Sequence, residues 1–171
     1  EYWRPRRTDL DCTIDAPSFI LCFSSGSRQL FSLRFDDEMA TVFCPPDTQF
    51  SRPEVQKLLS AAVVRAMKRR AQQFLPPLLA ELASMHGLTY KKVRVTGARS
   101  KWGSCTSAGT INLSCYLMLL PPHLMDYVLL HELAHTREMN HGQQFYALLN
   151  SMTDGMALQL RSQLRAFRTS F

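Results

Sequence analysis

Apolar and polar positions alternate in short runs over the first quarter of the chain. The runs are F-I-L-C-F at 19–23, Q-L-F-S-L-R-F at 29–35 and M-A-T-V-F at 39–43. In the second, Leu30, Ser32 and Arg34 alternate with Phe31, Leu33 and Phe35. Turn residues S-S-G-S and D-D-E separate the runs, so the pattern predicts a small antiparallel meander. A linker, C-P-P-D-T-Q-F, follows, and Ser51-Arg52-Pro53-Glu54 carries a capping-box pattern with proline at the first turn. The period then changes to helical: Val55, Leu58, Leu59, Ala62, Val63, Ala66 and Met67 form one apolar stripe. Pro76-Pro77 is expected to kink or restart this helix, because proline removes a backbone donor. A second segment, L-L-A-E-L-A-S-M-H, closes at Gly87, a natural stop.

Beyond Gly87, K-K-V-R-V-T predicts a strand with Val93 and Val95 on one face. G-T-I-N-L-S-C-Y-L predicts another, with Ile111, Leu113, Cys115 and Leu117 on one side and R-S-K-W-G-S-C as the loop between them. Pro121-Pro122 opens a helix containing residues 131–135, a further helix covers about 142–152, and Asp154 is placed to cap a last one bearing Ala157, Leu160, Leu164 and Phe167. The expected class is α+β: an N-terminal antiparallel meander, a long helix, a small sheet beside a chemically active helix, and C-terminal helices. Residues 1–50 read as a β-rich subdomain and 51–171 as the catalytic region, the whole forming one compact domain.

At 171 residues with 46% apolar content, the chain can bury a sizeable core. Five cysteines, an odd number with no C-x-x-C pair, favour reduced thiols and a cytoplasmic setting. The chain begins at Glu1, which leaves a removed signal open. The longest apolar stretch, residues 117–130, is broken by Pro121, Pro122, His123 and Asp126, so no membrane-spanning segment is expected. The net charge of +6 is uneven: residues 52–101 hold eleven lysines and arginines against Glu54 and Glu81 alone. Such a segment reads either as an attraction to phosphates or acidic substrates or as a solvated helix face with polar strand positions. Residues 1–8, with Trp3 and R-P-R-R, read as an extended basic arm that would join weak nucleic-acid association through the 52–101 segment.

The candidate chemistry lies in H-E-L-A-H-T-R-E-M-N-H at 131–141. His131 and His135, four apart on a helix, emerge from one face close enough to share a metal ion. Glu132 beside them suits a general base that moves a proton from water to a leaving amine. Imidazole ligands favour one zinc ion, although they accept other first-row metals, and a third protein ligand is needed. His141 is the candidate, with Glu138 as the alternative. On an unbroken helix His141 would point away, so the helix must end first, and Asn140 is expected to turn the chain in a left-handed cap where comparable proteases place glycine at the Glu138 position.

The stretch from Lys91 to Met152 resembles the YgjP-like metallopeptidases, which are related in their catalytic helix to the SprT and WLM-type proteases. The resemblance rests on K-W-G-S-C at 101–105, G-T-I-N-L at 109–113, L-P-P-H-L-M-D-Y-V-L-L-H-E-L-A-H at 120–135 and N-H-G-Q-Q-F-Y at 140–146. It implies an α+β fold with an exposed strand beside the active-site helix, zinc on His131, His135 and His141, and Glu132 as base. Two departures, Ser114 for the family's asparagine and N-H-G-Q-Q-F-Y for N-H-S-x-x-F-W, touch no ligand but bear on the substrate cleft.

Gly103 and Ser104 are small enough to let the backbone approach the helix, and the strand at 109–117 is expected to present an edge for an extended peptide. Candidate substrate or transition-state contacts are Trp102, Tyr127, Tyr146 and Arg137; Trp102 and Tyr127 read equally as core. Cys105 reads as a structural thiol, with nucleophile or fourth ligand as its alternatives. The functional reading is a zinc metalloendopeptidase acting on polypeptides. The alternatives are a non-enzymatic, zinc-stabilised basic module that binds nucleic acid, and a protease directed to DNA-bound proteins.

Overall fold

A computed structural model describes residues 7–36 and 39–167. Most of the basic arm, including Trp3, and Asp37 and Glu38 of the D-D-E turn lie outside the described residues. The fold is α+β, as expected. Strands β1 (Thr13–Ala16), β2 (Phe19–Ser25), β3 (Ser32–Asp36) and β4 (Met39–Cys44) form one sheet, helix α1 (Pro53–Met85) follows, and β5 (Lys92–Thr96), β6 (Gly103–Cys105) and β7 (Thr110–Ser114) form a second. A short 3-10 helix, Cys115–Leu119, leads into α2 (Pro122–Ala134), α3 (Gln143–Met152) and α4 (Ala157–Ala166).

The first sheet has the order β1-β2-β4-β3, with β2 and β4 parallel, so it is mixed rather than a plain meander. Burial explains the exchange. In β4, Ala40, Thr41, Val42 and Cys44 are all buried, which suits a strand with neighbours on both sides. β3 instead carries an exposed Arg34–Asp36 ion pair, 3.5 Å apart, and takes the edge, where charge discourages further pairing.

Helix α1 buries Leu59, Val63, Ala66, Met67, Ala71, Leu75, Leu79 and Leu82 along one stripe, while Leu58 is exposed. It runs unbroken through Pro76-Pro77 instead of restarting. The acceptors those prolines leave free belong to Gln72 and Gln73, both exposed, so the lost donors lie on the solvent side of the helix. The helix begins one residue later than the capping-box pattern implies: Arg52 is the N-cap, without a side-chain cap bond, and Pro53 is the first helical residue. Gln56 instead ties the incoming chain down, accepting from the Thr8 amide at 2.8 Å and donating to the Thr8 and Phe50 carbonyls at 2.7 Å each. At the far end Gly87, with φ of 60°, lets the Leu88 amide reach the Ala83 carbonyl at 2.9 Å and closes the helix as expected.

The second sheet has the order β5-β7-β6. Residues 103–105, expected as loop, pair with Leu113, Asn112 and Ile111 and take the edge that β7 was expected to expose. β7 also stops earlier. The buried Ser114 hydroxyl donates to the Ala98 carbonyl at 2.6 Å and accepts from the Tyr116 amide at 3.2 Å, turning the chain into the 3-10 helix. Cys115 and Leu117 are therefore buried by that helix, not by a strand face.

Helix α2 is buried on nearly every side, between β6 and β7 on one flank and α1, α3 and α4 on the others. The last helix is capped by Asn150, whose Oδ1 accepts from the Ala157 amide at 3.2 Å. Asp154, the expected cap, sits in the connecting turn at φ of 49°. Among the described residues, no helix is long and apolar enough to cross a membrane.

Candidate active site

The last turn of α2 carries His131, Glu132 and His135, and His141 returns from the loop ahead of α3. The chain reverses without a left-handed Asn140: the amides of Arg137 and Glu138 bond back to Ala134, and the Gly142 amide meets the Asn140 carbonyl at 2.7 Å. His141 Nε2 then lies 3.0 Å from His135 Nε2 and 3.1 Å from His131 Nε2.

Three imidazole nitrogens facing one another cannot satisfy themselves. His135 Nδ1 stands 3.0 Å from the Glu138 carbonyl, which only accepts, so the neutral ring keeps its proton on Nδ1 and presents a lone pair at Nε2. A proton on His141 Nε2 can serve only one neighbour. The cluster therefore suits a cation, and a tetrahedral ion with bonds of about 2.0–2.1 Å to nitrogen needs donors about 3.3–3.4 Å apart, close to the spacing found. Glu138, the alternative third donor, contributes its backbone carbonyl to His135, and its carboxylate is not part of the donor group.

Phe145 lies one helical turn past His141 and forms the floor of the site. Its ring is fully buried, with centroids 4.9, 4.6 and 4.8 Å from those of His131, His135 and His141. Sequence reasoning did not single it out, although an aromatic residue in the first turn of the helix that follows His141 was the available signal. Phe145→Ala is expected to destabilise the protein by about 3–5 kcal/mol in urea unfolding, because the cavity removes packing from all three rings.

Glu132 is 6% exposed. Burial pushes its carboxyl up to about 7, opposed by the charge of Lys101. Burial, then the neighbouring His135, His141 and Arg161, lowers His131 to about 4; burial also lowers His135 while its bond to Glu138 pulls the other way. β6 presses directly on the carboxylate: a Cβ at Gly103 would meet Glu132 Cγ and Oε1 at 2.8 Å each. The expectation that small residues there allow close approach is met, and glycine is needed for space.

The four candidate contacts separate. Tyr127 is buried, its ring edge-on to His131 at 6.0 Å and its hydroxyl without a hydrogen-bond partner among the described residues. Tyr146 is half-buried beside Phe145, and its hydroxyl accepts from Arg161 Nη1 at 2.9 Å. Trp102 is half-buried, 6.4 Å from the Phe167 ring. Arg137 turns away from the cluster and donates to the Gly87 carbonyl at 2.8 Å. Arg161 lay outside the sequence reading, and Lys101 entered it only through K-W-G-S-C and the basic segment; the packing of α4 and β6 against α2 brings them to the site. Burial and the nearby Glu132 raise the Cys105 thiol, which keeps it protonated, and its sulfur lies outside the donor group.

Among solved structures, the chain is similar to the metallopeptidase zymogen of Pyrococcus abyssi abylysin, at 23% identity over 53% of this chain and 90% of that one, with a TM-score of 0.48. It is also similar to the metallopeptidase zymogen of Methanocaldococcus jannaschii jannalysin, at 21% identity over 52% and 94%, with a TM-score of 0.41. No curated protein matches. The YgjP-like metallopeptidase domain matches residues 25–167, which takes in every element from β3 to α4 and the whole histidine cluster. Because that match spans most of the chain, the protein belongs to the YgjP-like metallopeptidase family and is an enzyme acting on polypeptides.

Proposed function

We propose that the protein is a zinc-dependent endopeptidase in which His131, His135 and His141 hold a single zinc ion and Glu132 is the general base. The convergence of three Nε2 atoms, His141 within about 3 Å of each of the other two and all three within 4.8 Å of one another, next to a buried carboxylate, carries this reading. A zinc ion held there supplies Lewis acidity, acidifying water and stabilising negative charge on the carbonyl oxygen. Glu132 takes a proton from the attacking water as its oxygen bonds to the carbonyl carbon. It then delivers that proton to the amide nitrogen as the C–N bond breaks, and the water's second proton passes to the released amine, leaving a carboxylate and an ammonium group.

Gly103 keeps the Glu132 carboxylate in place by leaving it room, and the outer edge of β6, unpaired among the described residues, can hold an extended substrate backbone. Tyr146, oriented by Arg161, is suited to polarise the scissile carbonyl. Gly103→Ala is expected to retain the metal and lower kcat by about tenfold to a hundredfold, since the base must shift by a good part of an ångström; steady-state kinetics beside metal analysis checks it.

The odd cysteine count supports a reducing, cytoplasmic setting. The direct test is cleavage of an unfolded protein by chelator-stripped enzyme as zinc is titrated back. Activity that returns at one equivalent supports the reading, and cleavage undiminished by stripping would sink it.

A further inference from the structure

A groove remote from the histidine cluster shares no residue with it. It has a volume of about 1000 Å³ and runs between α1 and the edge strand β3. Its floor is apolar, from Phe31, Leu33, Phe35 and Val64, and its walls carry Lys57, Arg65, Lys68, Arg69 and Arg99, with no aspartate or glutamate among the described residues that line it. The helix cations recur at spacings of three, four and eight residues and so share one side of α1. Lys68 reaches across to Gly97, where a Cβ would stand 2.9 Å from its Cε, and Arg99 is anchored by a 3.0 Å bond to the Tyr116 hydroxyl. Five of the eleven basic residues of 52–101, all of them exposed, thus border one groove.

We propose that this groove is an exosite for an extended acidic polypeptide segment, which pairs with the free edge of β3 and sets its carboxylates against the α1 cations. Two features select a peptide. Phe31, Ser32 and Leu33 are consecutive and all border the groove, so the strand's backbone edge, not only one face, forms the wall. Among the described residues no strand occupies that edge, which leaves main-chain donors and acceptors for β-addition. Single-stranded nucleic acid would need a series of open aromatic faces, but the Arg69 guanidinium lies over the Phe35 ring, 4.2 Å from its centroid. The exosite deepens the reading of this chain as an enzyme of polypeptides, and rests on it for its purpose: it would favour substrates that carry acidic stretches.

Binding can be separated from cleavage by using the full chain with Glu132→Gln and a fluorescent peptide of alternating glutamate and valine. Anisotropy should rise with this probe and stay flat with its lysine-valine counterpart. The double reversal Arg65→Glu, Lys68→Glu is expected to weaken binding by about tenfold or more at low ionic strength. Both positions are exposed, so an unchanged circular dichroism spectrum and Tm verify the fold, and Arg65→Lys with Lys68→Arg should restore affinity. Methylating alternate peptide amides should also weaken the complex.

Equal binding of the two peptides, or indifference to charge reversal or to methylation, would overturn the proposal. So would oligothymidylate that binds more tightly than the peptide and is lost in the reversed variant. None of these outcomes bears on zinc binding or on Glu132, so the peptidase reading stands or falls separately.

Discussion

Glu132→Gln is expected to lower kcat/KM for an unfolded protein substrate by about 10³-fold while leaving the metal content unchanged. The exchange is close to isosteric, so the side chain still fits beneath Gly103, where a Cβ would already meet it at 2.8 Å. What changes is chemistry. An amide cannot accept the proton released as water attacks, and a positioned base contributes on the order of 10²–10⁴-fold. Cleavage measured beside metal per chain distinguishes the cases: full activity would remove Glu132 from the reaction, and loss of metal would mean that it acts through the site's structure.

The second large effect separates His141 from Glu138. His141→Ala should weaken zinc binding by more than about 100-fold, beyond the 10–100-fold typical of residues that only support a ligand, and should abolish cleavage. Glu138→Ala should change affinity by no more than a few fold, because Glu138 reaches His135 through its backbone carbonyl, which alanine retains. Competition against a zinc-sensitive dye reads both. The reverse ranking would transfer the third position to the Glu138 carboxylate and detach His141, which is exposed, from the metal.

The site was more legible in the sequence than the sheets around it. A helical i, i+4 pair places its side chains together through local geometry alone, so His131, Glu132 and His135 could be positioned from spacing. His141 could be named, but its route could not: Asn140 does not adopt the left-handed turn, and ordinary backbone bonds to Ala134 complete the reversal instead. The expected strand at 109–117 failed where a single buried hydroxyl, Ser114, found the Ala98 carbonyl from a distant loop. Residues 103–105 are too few and too polar to show a strand period, and they became one because β7 offered an unpaired edge.

By itself the sequence determined what depends on neighbours along the chain: the helical stripe of α1, its stop at Gly87, the class of fold, and the common helix face of His131 and His135. Tertiary structure decided what depends on residues brought together from afar. It put β4 between β2 and β3, set Phe145 under the three imidazoles, pressed Gly103 onto Glu132, and gathered Lys57, Arg65, Lys68 and Arg69 of α1 with Arg99 around one groove. The physical reason is that periodicity reports which face of an element is apolar, whereas strand order, close approach and shared cavities follow from how those faces pack, a choice no local pattern records.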